Sequence, residues 1–301
     1  MGNFMVFDIG GSAIKSSIMS KDGTILTSNK FKIPEDIDSF MNLLAHITNV
    51  NKEEYEIIGI AISAPGAVNG DTGVIGGFSA IPYIHGPNFK EILYNKTSLN
   101  IEIENDANCA ALGESWIGVA KEAKDSLFVV CGTGIGGAII KDKNIHLGAH
   151  YHGGEIGFSI LGYDENAENK YPYWSDIAST GVLIKAVAKK KAIDENSIDG
   201  IKVFEMAKQG DEIAIKEIDK YYRYMAIGIY NMQYIYDPEI IVLGGAISER
   251  EEYIDEIYKR IDDIIGIHNN LKIRPNIKRC QYGNDANKIG ALYNFLKRQN
   301  I

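Results

Sequence analysis

One short motif in this sequence, Asn-Asp-Ala-Asn, offers a carboxylate for proton transfer and occurs twice. Its copies are residues 105–108 and 284–287, and each stands directly before a helix-like segment. A carboxylate held at such a junction, Asp106 or Asp285, can act as a general base that takes a proton from a hydroxyl group. The same aspartate can equally cap the helix that follows. Spacing does not separate the two roles, so both remain open for each copy.

Two glycine-rich turns form a second feature with chemical potential, at residues 10–12 and 132–137. Because glycine has no Cβ, successive backbone N–H groups in such turns can point toward an anion. An acidic protein that binds a polyphosphate needs neutral donors of this kind. Simple tight β-turns are the alternative interpretation.

The second turn also fits Gly-x-Gly-x-x-Gly, the fingerprint of dinucleotide-binding proteins. That fingerprint should open a helix. Here the strand-like residues 138–140 and a turn at 141–144 follow instead, which is typical of a hairpin. The pattern therefore argues against a nicotinamide-dependent oxidoreductase, and the absence of Gly-x-x-x-x-Gly-Lys-Ser/Thr excludes the P-loop class.

The elements around the two turns repeat and predict an α/β protein. Each turn follows a buried strand and precedes a strand that returns antiparallel, at residues 4–7 with 13–19 and at 126–130 with 138–140. Further buried strands are predicted at 57–62, 101–104 and 240–243, with helices at 37–48, 106–117, 182–191, 203–209, 211–236, 251–265 and 285–298. This weak internal duplication predicts two lobes that face a cleft. We expect an N-terminal lobe of residues 1–118 plus about 285–301, and a C-terminal lobe of residues 119–284.

Composition narrows the function classes. The 301 residues contain 31 Lys plus Arg against 40 Asp plus Glu, a formal charge of −9, which argues against binding of a nucleic-acid backbone. An apolar run of about 18 residues, as a membrane span needs, is not found, and neither is a signal-peptide pattern. The three cysteines, Cys109, Cys131 and Cys280, are too few and too scattered for a disulfide framework. We expect a cytoplasmic protein that does not bind membranes.

Taken together, six motifs in order along almost the whole chain resemble the ROK family of sugar kinases. They are Asp8 to Lys15, Ala64-Pro65-Gly66, Glu104 to Asn108, Gly132 to Gly137, Gly153 to Gly157, and Gly244-Gly245. Within that family the chain is most similar to bacterial β-glucoside kinases. The resemblance implies an actin-like, ribonuclease H-like pair of α/β domains with a cleft, ATP and Mg²⁺ as the phosphoryl donor system, and a homodimer with contacts in the C-terminal lobe.

The resemblance also implies roles for individual residues. It makes Asp106 the general base and leaves Asp285 as a helix cap. The implied ligands and neighbours of the sugar are Gly66, Asn105, Asp106 and Glu155. Asp8 would orient Mg²⁺, in part through water. The implied nucleotide contacts are Gly10, Gly11, Ser12 and Lys15 in the N-terminal lobe, Gly132, Thr133 and Gly134 in the second loop, and Gly244 with Gly245 as the adenosine platform.

Two departures from the family pattern affect these expectations. Relatives usually carry a His directly after the Glu-Ile-Gly segment and then a cysteine-rich zinc loop. This chain has Phe158 at that position and no cysteine from Gly162 to Ser179, so a structural zinc is not expected. Ser175 stands where many relatives have a Glu that contacts the sugar. Both changes remove polar groups at the anomeric end of the sugar.

The sequence thus predicts an ATP-dependent kinase that phosphorylates the C6 hydroxyl of a hexose or, preferably, a β-glucoside such as cellobiose. N-acetylmannosamine kinase and glucokinase are the alternatives within the family. A non-catalytic sugar-sensing protein of the same fold is the alternative from another class. An N-terminal DNA-binding helix-turn-helix is not expected, because the first phosphate loop begins at Asp8.

Overall fold

The computed structural model describes residues 2–165, 169–268 and 270–301. The chain packs as two compact units. Unit 1 comprises residues 1–122, 144–153 and 284–301, and unit 2 comprises 123–143 and 154–283. Residues 119–122 and 144–153 therefore belong to unit 1, whereas we expected all of 119–284 to form the other lobe.

Strands and helices are interspersed along the described residues. The strands are β1 (Asn3–Ile9), β2 (Ile14–Met19), β3 (Ile25–Phe31), β4 (Ile57–Ala64), β5 (Ala67–Asn69), β6 (Val74–Gly76), β7 (Asn100–Asn105), β8 (Ser126–Cys131), β9 (Ile135–Lys141), β10 (Asn144–Ile145), β11 (Ile240–Gly244) and β12 (Ile277–Arg279). The helices are α1 (Ile37–Asn51), α2 (Phe89–Thr97), α3 (Asp106–Trp116), α4 (Trp174–Ala178), α5 (Thr180–Lys191), α6 (Gly200–Lys208), α7 (Glu212–Tyr236), α8 (Tyr253–Ile267) and α9 (Ala286–Arg298).

The main sheets of the two units follow the same plan. In unit 1 the strand order is β3-β2-β1-β4-β7, with β1 antiparallel to β2 and parallel to β4. In unit 2, β9, β8, β11 and β12 are neighbours in that order, with β8 antiparallel to β9 and parallel to β11. The predicted α/β class is confirmed, and the common plan agrees with the predicted duplication. A dinucleotide fingerprint should open a helix, but strand β9 already begins at Ile135, within the second glycine turn.

Each unit has its own apolar core. The core of unit 1 lies on the faces of β1 and β4 and is covered by α1 and α2, with Phe7, Phe40, Ile62 and Phe89 fully buried. The core of unit 2 surrounds β8 and β11 and includes much of α7. Strands buried on both faces read as continuous apolar runs, which explains why β1, β4 and β11 are recognisable from sequence. In the part of the chain that the structure describes, no helix has the length and hydrophobicity of a membrane span.

Candidate active site

The predicted residues of unit 1 converge at one edge of its sheet. Strands β1, β4 and β7 are parallel neighbours, with Asp8 paired to Ser63 and Ala64 paired to Asn105. The loops after parallel strands meet at their carboxyl ends, which is where α/β proteins bind ligands. Asp8, Gly66, Asn105 and Asp106 all lie at this edge.

Asp8 is a buried carboxylate with three neighbouring donors. It is 5% exposed. The Ser63 hydroxyl donates to its Oδ1 at 3.0 Å, and the Asn287 amide lies 3.4 Å from the same oxygen. The Lys15 ammonium, opposite Asp8 on β2, lies 3.3 Å from Oδ2. Lys15 is thus an ion-pair partner of Asp8, and Ser63 and Asn287 are members of this cluster that the sequence analysis missed.

Asn105 shapes the start of α3. Its Oδ1 accepts a hydrogen bond from the Asn108 backbone at 3.1 Å and so caps the helix, while its Nδ2 donates to the Gly66 carbonyl at 2.9 Å. Asp106 is the first helical residue, half-buried, and its Oδ1 accepts from the Ala107 N–H at 2.8 Å. The cap of this helix is therefore Asn105, and the carboxylate of Asp106 is not needed for that task.

Glu104 supports this turn from inside the fold. One oxygen of its buried carboxyl group accepts hydrogen bonds from the Asn105 N–H at 2.7 Å and from the Asn108 amide at 3.0 Å. Burial raises the pKa of Glu104 above its ordinary value. Sequence analysis did not assign it a role, since its burial follows only from the packing around β7.

The second tetrapeptide behaves differently from the first. Asp285 precedes α9 at the capping position, but its side chain makes no capping hydrogen bond. Its carboxylate instead lies 2.7 Å from the ammonium of Lys288, which is buried. The expectation that Asp285 caps the helix is wrong, because the ion pair with Lys288 takes its carboxylate.

The glycines at this edge of unit 1 have different local roles. Gly66 has a φ of +97°, and an added Cβ would lie 2.8 Å from the Gly76 carbonyl oxygen, so only glycine fits. Gly10 donates its N–H to the Ala13 carbonyl at 3.0 Å. The Gly10 N–H is therefore bonded within the loop. Gly11 and Ser12, at the tip of the loop, are exposed.

The second glycine loop is exposed on one side and anchored on the other. Gly132, Thr133 and Gly134 are exposed, and an added Cβ on Gly132 would have no atom within 4 Å. Within the loop, the Gly132 N–H donates to the Gly134 carbonyl at 2.8 Å. From α5, the Gly181 N–H donates to the Gly132 carbonyl at 3.2 Å. The loop thus has an open surface on a fixed base.

Ser175 is part of that base. Its Oγ accepts a hydrogen bond from the Ile135 N–H at 3.0 Å, directly after the loop. An added Cβ on Gly134 would lie 2.9 Å from the same oxygen. We expected Ser175 only as a replacement for a sugar-binding Glu, and the structure gives it a contact with the loop that the sequence did not indicate.

Gly245 joins the predicted adenosine platform to this loop. Gly244 ends β11, next to Val130 of β8. Gly245 has a φ of +90°, and an added Cβ would lie 2.0 Å from the Cys131 carbonyl oxygen. The backbones at the carboxyl ends of β8 and β11 are therefore in contact, which brings together the residues of unit 2 expected to bind nucleotide.

Glu155 and Phe158 share one short turn in unit 2. The Phe158 N–H donates to the Glu155 carbonyl at 3.2 Å. Glu155 is exposed, and Phe158 is 61% exposed, with its ring 5.6 Å from that of Tyr173 in an edge-to-face pair. Both side chains are accessible to a ligand of this unit.

Metal ligands are not clustered in the described residues. Within them, no group of three or more His, Cys, Asp or Glu side chains could hold a metal ion. Residues 166–168, part of the segment for which zinc is not expected, lie outside the described residues. Asp8 remains a single buried carboxylate with hydroxyl, amide and ammonium neighbours.

Comparison with known proteins finds the same family that the sequence motifs resemble. The ROK family model matches residues 5–298. The chain is 32% identical to a β-glucoside kinase of Listeria monocytogenes, covering 98% of this chain and 97% of that protein. It is 31% identical to a β-glucoside kinase of Klebsiella pneumoniae, covering 96% and 94%. Among solved structures, a ROK family protein of Streptococcus pneumoniae in complex with sucrose is 37% identical, with a TM-score of 0.90 over 99% of each chain.

Proposed function

The chain belongs to the ROK family, has the actin-like two-domain fold of ROK sugar kinases and is a carbohydrate kinase, and we propose that its substrate is a β-glucoside. In this proposal it transfers the γ-phosphate of ATP to the C6 hydroxyl of the glucose ring. Cellobiose is the favoured substrate. The observation that best supports kinase chemistry is the position of Asp106. Its carboxylate lies at the carboxyl edge of the unit 1 sheet, while Asn105 caps the helix.

Asp106 is the proposed general base. Phosphoryl transfer to an alcohol is achieved largely by positioning and electrostatics, with a carboxylate that accepts the hydroxyl proton. As the hydroxyl oxygen bonds to the γ-phosphorus and the bond to the β-phosphate breaks, the proton passes to Asp106. Gly66 and Asn105 would hold the sugar in unit 1, and Glu155 is its proposed ligand in unit 2.

The two glycine loops are the proposed phosphate contacts. Gly10 to Ser12 with Lys15 serve in unit 1, and Gly132 to Gly134 with Gly244 and Gly245 serve in unit 2. Because the Gly10 and Gly132 N–H groups are bonded within their loops, phosphate oxygens would be bound by the neighbouring N–H and hydroxyl groups. The exposed face of the second loop and the open space above Gly132 support this role.

Asp8 is the proposed contact for Mg²⁺. Magnesium usually retains several waters and is bound by one or two carboxylates together with substrate phosphates. A single buried carboxylate that already holds donor groups fits such a site through water and does not fit a site made of protein ligands alone. When bound, the ion would neutralise charge on the phosphates.

The preference for a β-glucoside rests on Phe158 and Ser175. An exposed ring at Phe158 offers an apolar surface to a second sugar ring, whereas a free anomeric hydroxyl finds fewer polar partners there. Similarity to two β-glucoside kinases, and to a protein that binds the disaccharide sucrose, supports the same substrate class. Glucose and N-acetylmannosamine remain the competing substrates.

We also propose a homodimer that uses unit 2, and a cytoplasmic location. Exposed apolar side chains on α7 and α8, Tyr234, Ile235 and Ile267, support a contact surface there. The free cysteines Cys109 and Cys131 are buried thiols, as expected in a reducing compartment.

A coupled assay of ADP release, run over a panel of monosaccharides and β-disaccharides, tests the proposed function. Release that depends on a β-glucoside, with the phosphate located on O6 by NMR, is the expected result. Tight sugar binding without ADP release would instead identify a sugar-sensing protein, and release with N-acetylmannosamine or glucose alone would reassign the substrate.

A further inference from the structure

Four side chains that meet at the base of the second glycine loop form a hydrogen-bonded chain inside unit 2. Cys131 ends β8 immediately before the loop, and its Sγ lies 3.3 Å from the hydroxyl group of Tyr221 on α7. That hydroxyl group lies 2.8 Å from the hydroxyl group of Tyr253 on α8. The same Sγ lies 3.6 Å from the hydroxyl group of Thr180, the first residue of α5. We call these four residues the Cys131 chain.

The Cys131 chain lies in the apolar core and is uncharged. Cys131, Tyr221 and Tyr253 are at most 2% exposed. Burial raises the pKa of the Cys131 thiol, and it raises the pKa of both tyrosines well above its ordinary value. The three groups are therefore neutral, and each needs a partner, because a buried polar group without one is costly. A satisfied buried network of this kind favours a single arrangement of the elements that contribute to it.

The second glycine loop is held through the elements that this chain joins. Glycine leaves the backbone of the loop many conformations, and an added Cβ on Gly132 would have no atom within 4 Å to restrict it. The Gly181 N–H donates to the Gly132 carbonyl, and an added Cβ on Gly181 would lie 2.6 Å from the Thr133 carbonyl oxygen. Thr180 of the Cys131 chain directly precedes Gly181. The chain thus joins β8 to α5, the two elements that fix the base of the loop.

Tyr222, the neighbour of Tyr221 on α7, provides a natural comparison. Its side chain is also 2% exposed. Among the described residues, its buried hydroxyl group has no hydrogen-bond partner. The Arg260 guanidinium lies 5.5 Å from the centroid of its ring, a contact that needs the ring and not the hydroxyl group. The two tyrosines are therefore equally buried, and only Tyr221 has a hydroxyl group that is bonded to the base of the loop.

We propose that Tyr221 and Tyr253 are positioning residues, which act through Cys131 and hold the second glycine loop in one conformation. The proposal rests on the proposed role of this loop as a nucleotide contact, and it adds the residues that order the loop before ATP binds. Without the Tyr221 hydroxyl group, Cys131 and Tyr253 each lose a buried partner, and the loop occupies more than one conformation. ATP then binds only the fraction of molecules in which the loop is ordered, so that its apparent affinity falls.

Hydrogen exchange and steady-state kinetics of Tyr221→Phe and Tyr222→Phe test this proposal. In Tyr221→Phe without nucleotide, the amides of Gly132 and Gly181 should exchange about threefold to tenfold faster, which corresponds to the net contribution of one hydrogen bond. The amides of β11 should keep their rates. KM for ATP should rise by a similar factor, with KM for the sugar unchanged. Tyr222→Phe should change none of these values.

Thr180 gives a second pair of variants that reach the same chain from α5. Thr180→Val removes the hydroxyl group at nearly constant volume and should act like Tyr221→Phe. Thr180→Ser retains the hydroxyl group and should keep the wild-type exchange rates and KM for ATP. Equal effects of Thr180→Val and Thr180→Ser would count against the chain, because only one of the two variants removes its hydrogen bond.

Unchanged exchange at the loop in Tyr221→Phe would overturn the proposal. Equally faster exchange in β11 would overturn it too, because that result indicates a loss of overall stability alone. A change of the same size in Tyr222→Phe would also contradict it, because that variant removes a hydroxyl group without a partner.

Thr133→Ala, a change within the loop itself, separates this proposal from the proposed function. If Thr133→Ala raises KM for ATP and Tyr221→Phe does not, the loop is a nucleotide contact and the Cys131 chain does not position it. If Tyr221→Phe speeds exchange at the loop and neither variant changes KM for ATP, the chain positions the loop, and the proposed role of the loop in nucleotide binding is wrong.

Discussion

Asp106 and Asp285 stand in the same tetrapeptide but in different surroundings. The carboxylate of Asp106 is at the carboxyl edge of the unit 1 sheet, whereas that of Asp285 pairs with the buried Lys288. We predict that Asp106→Asn keeps the fold and lowers kcat by about 10²- to 10⁴-fold, the usual contribution of a positioned base. Asp285→Asn should lose some stability, because Lys288 keeps its charge without its partner, and should retain turnover. Steady-state kinetics and thermal melts of both variants provide the comparison.

Comparable losses of kcat in the two variants, at temperatures where both are folded, would count against Asp106 as the base. The tetrapeptide itself could not separate these roles, because a carboxylate before a helix looks the same whether it caps, pairs or accepts a proton. The asparagines of the tetrapeptide, Asn105 and Asn287, also have roles that the sequence does not distinguish. One caps α3, while the other reaches Asp8 across the fold.

Glu104 makes stability depend on pH. Its folded pKa is above its ordinary value of 4.5, because burial penalises the carboxylate, so the neutral form is favoured in the folded state. The stability it contributes is present below the unfolded pKa and is lost as pH rises through the folded pKa. We predict that Glu104→Gln, which keeps an acceptor oxygen but cannot ionise, gains free energy of unfolding relative to the wild type as pH rises above the ordinary pKa of 4.5. Urea unfolding at several pH values measures this difference, and a difference that stays constant or falls would disprove the pKa assignment.

At the scale of elements, the contact between α3 and α9 positions the edge of the unit 1 sheet that carries the proposed base. An added Cβ on Gly290 of α9 would lie 1.6 Å from the Cys109 carbonyl oxygen of α3. We predict that Gly290→Ala destabilises the protein by about 1 to 3 kcal/mol, since a packed core resists added atoms. It should also lower kcat, because the start of α3 carries Asp106.

Gly266→Ala is the control for that variant. Gly266 also lies in a helix, α8, but an added Cβ there would meet no atom within 4 Å. Removing a helical glycine should leave stability unchanged or raise it by up to about 1 kcal/mol. Equal melting temperatures for the two variants would show that α3 and α9 are not held by the close approach at Gly290.

The sequence predicted the elements with strong periodicity and missed the short ones. Strands β1 and β2, helix α7 and strand β11 are confirmed within a few residues. Helix α2 and strand β12 were not predicted, because α2 has few apolar residues and β12 has only three residues, so that neither shows a clear periodicity. The assignment of residues 144–153 to unit 1 could not be derived either, since it depends on contacts distant in sequence.

In each unit, the proposed site lies where it does because of the order of the strands in the sheet. The sequence indicated this order only through the two repeated glycine turns. The hydrogen bonds of Ser63 with Asp8 and of Ser175 with Ile135 could be found only in the three-dimensional structure, because each joins residues 40 or more positions apart in the sequence.

At the scale of the whole molecule, we predict that folding does not require zinc. Gly162 to Ser179 contains no cysteine, so the thiolate ligands of a structural zinc are missing. Purified protein should contain far less than one zinc per chain, and its melting temperature should not change on addition of a chelator. About one zinc per chain, together with a lower melting temperature after its removal, would contradict this, because a structural metal contributes folding free energy.

The most direct test of the account is the ratio of kcat/KM values for cellobiose, glucose and N-acetylmannosamine, with ATP and Mg²⁺. We predict the highest value for cellobiose, with the phosphate on O6 of the non-reducing ring, because Phe158 offers a surface to a second ring and little polar contact to a free anomeric hydroxyl. A preference for N-acetylmannosamine of more than about tenfold, a gap of about 1.4 kcal/mol in transition-state binding, would contradict the β-glucoside assignment.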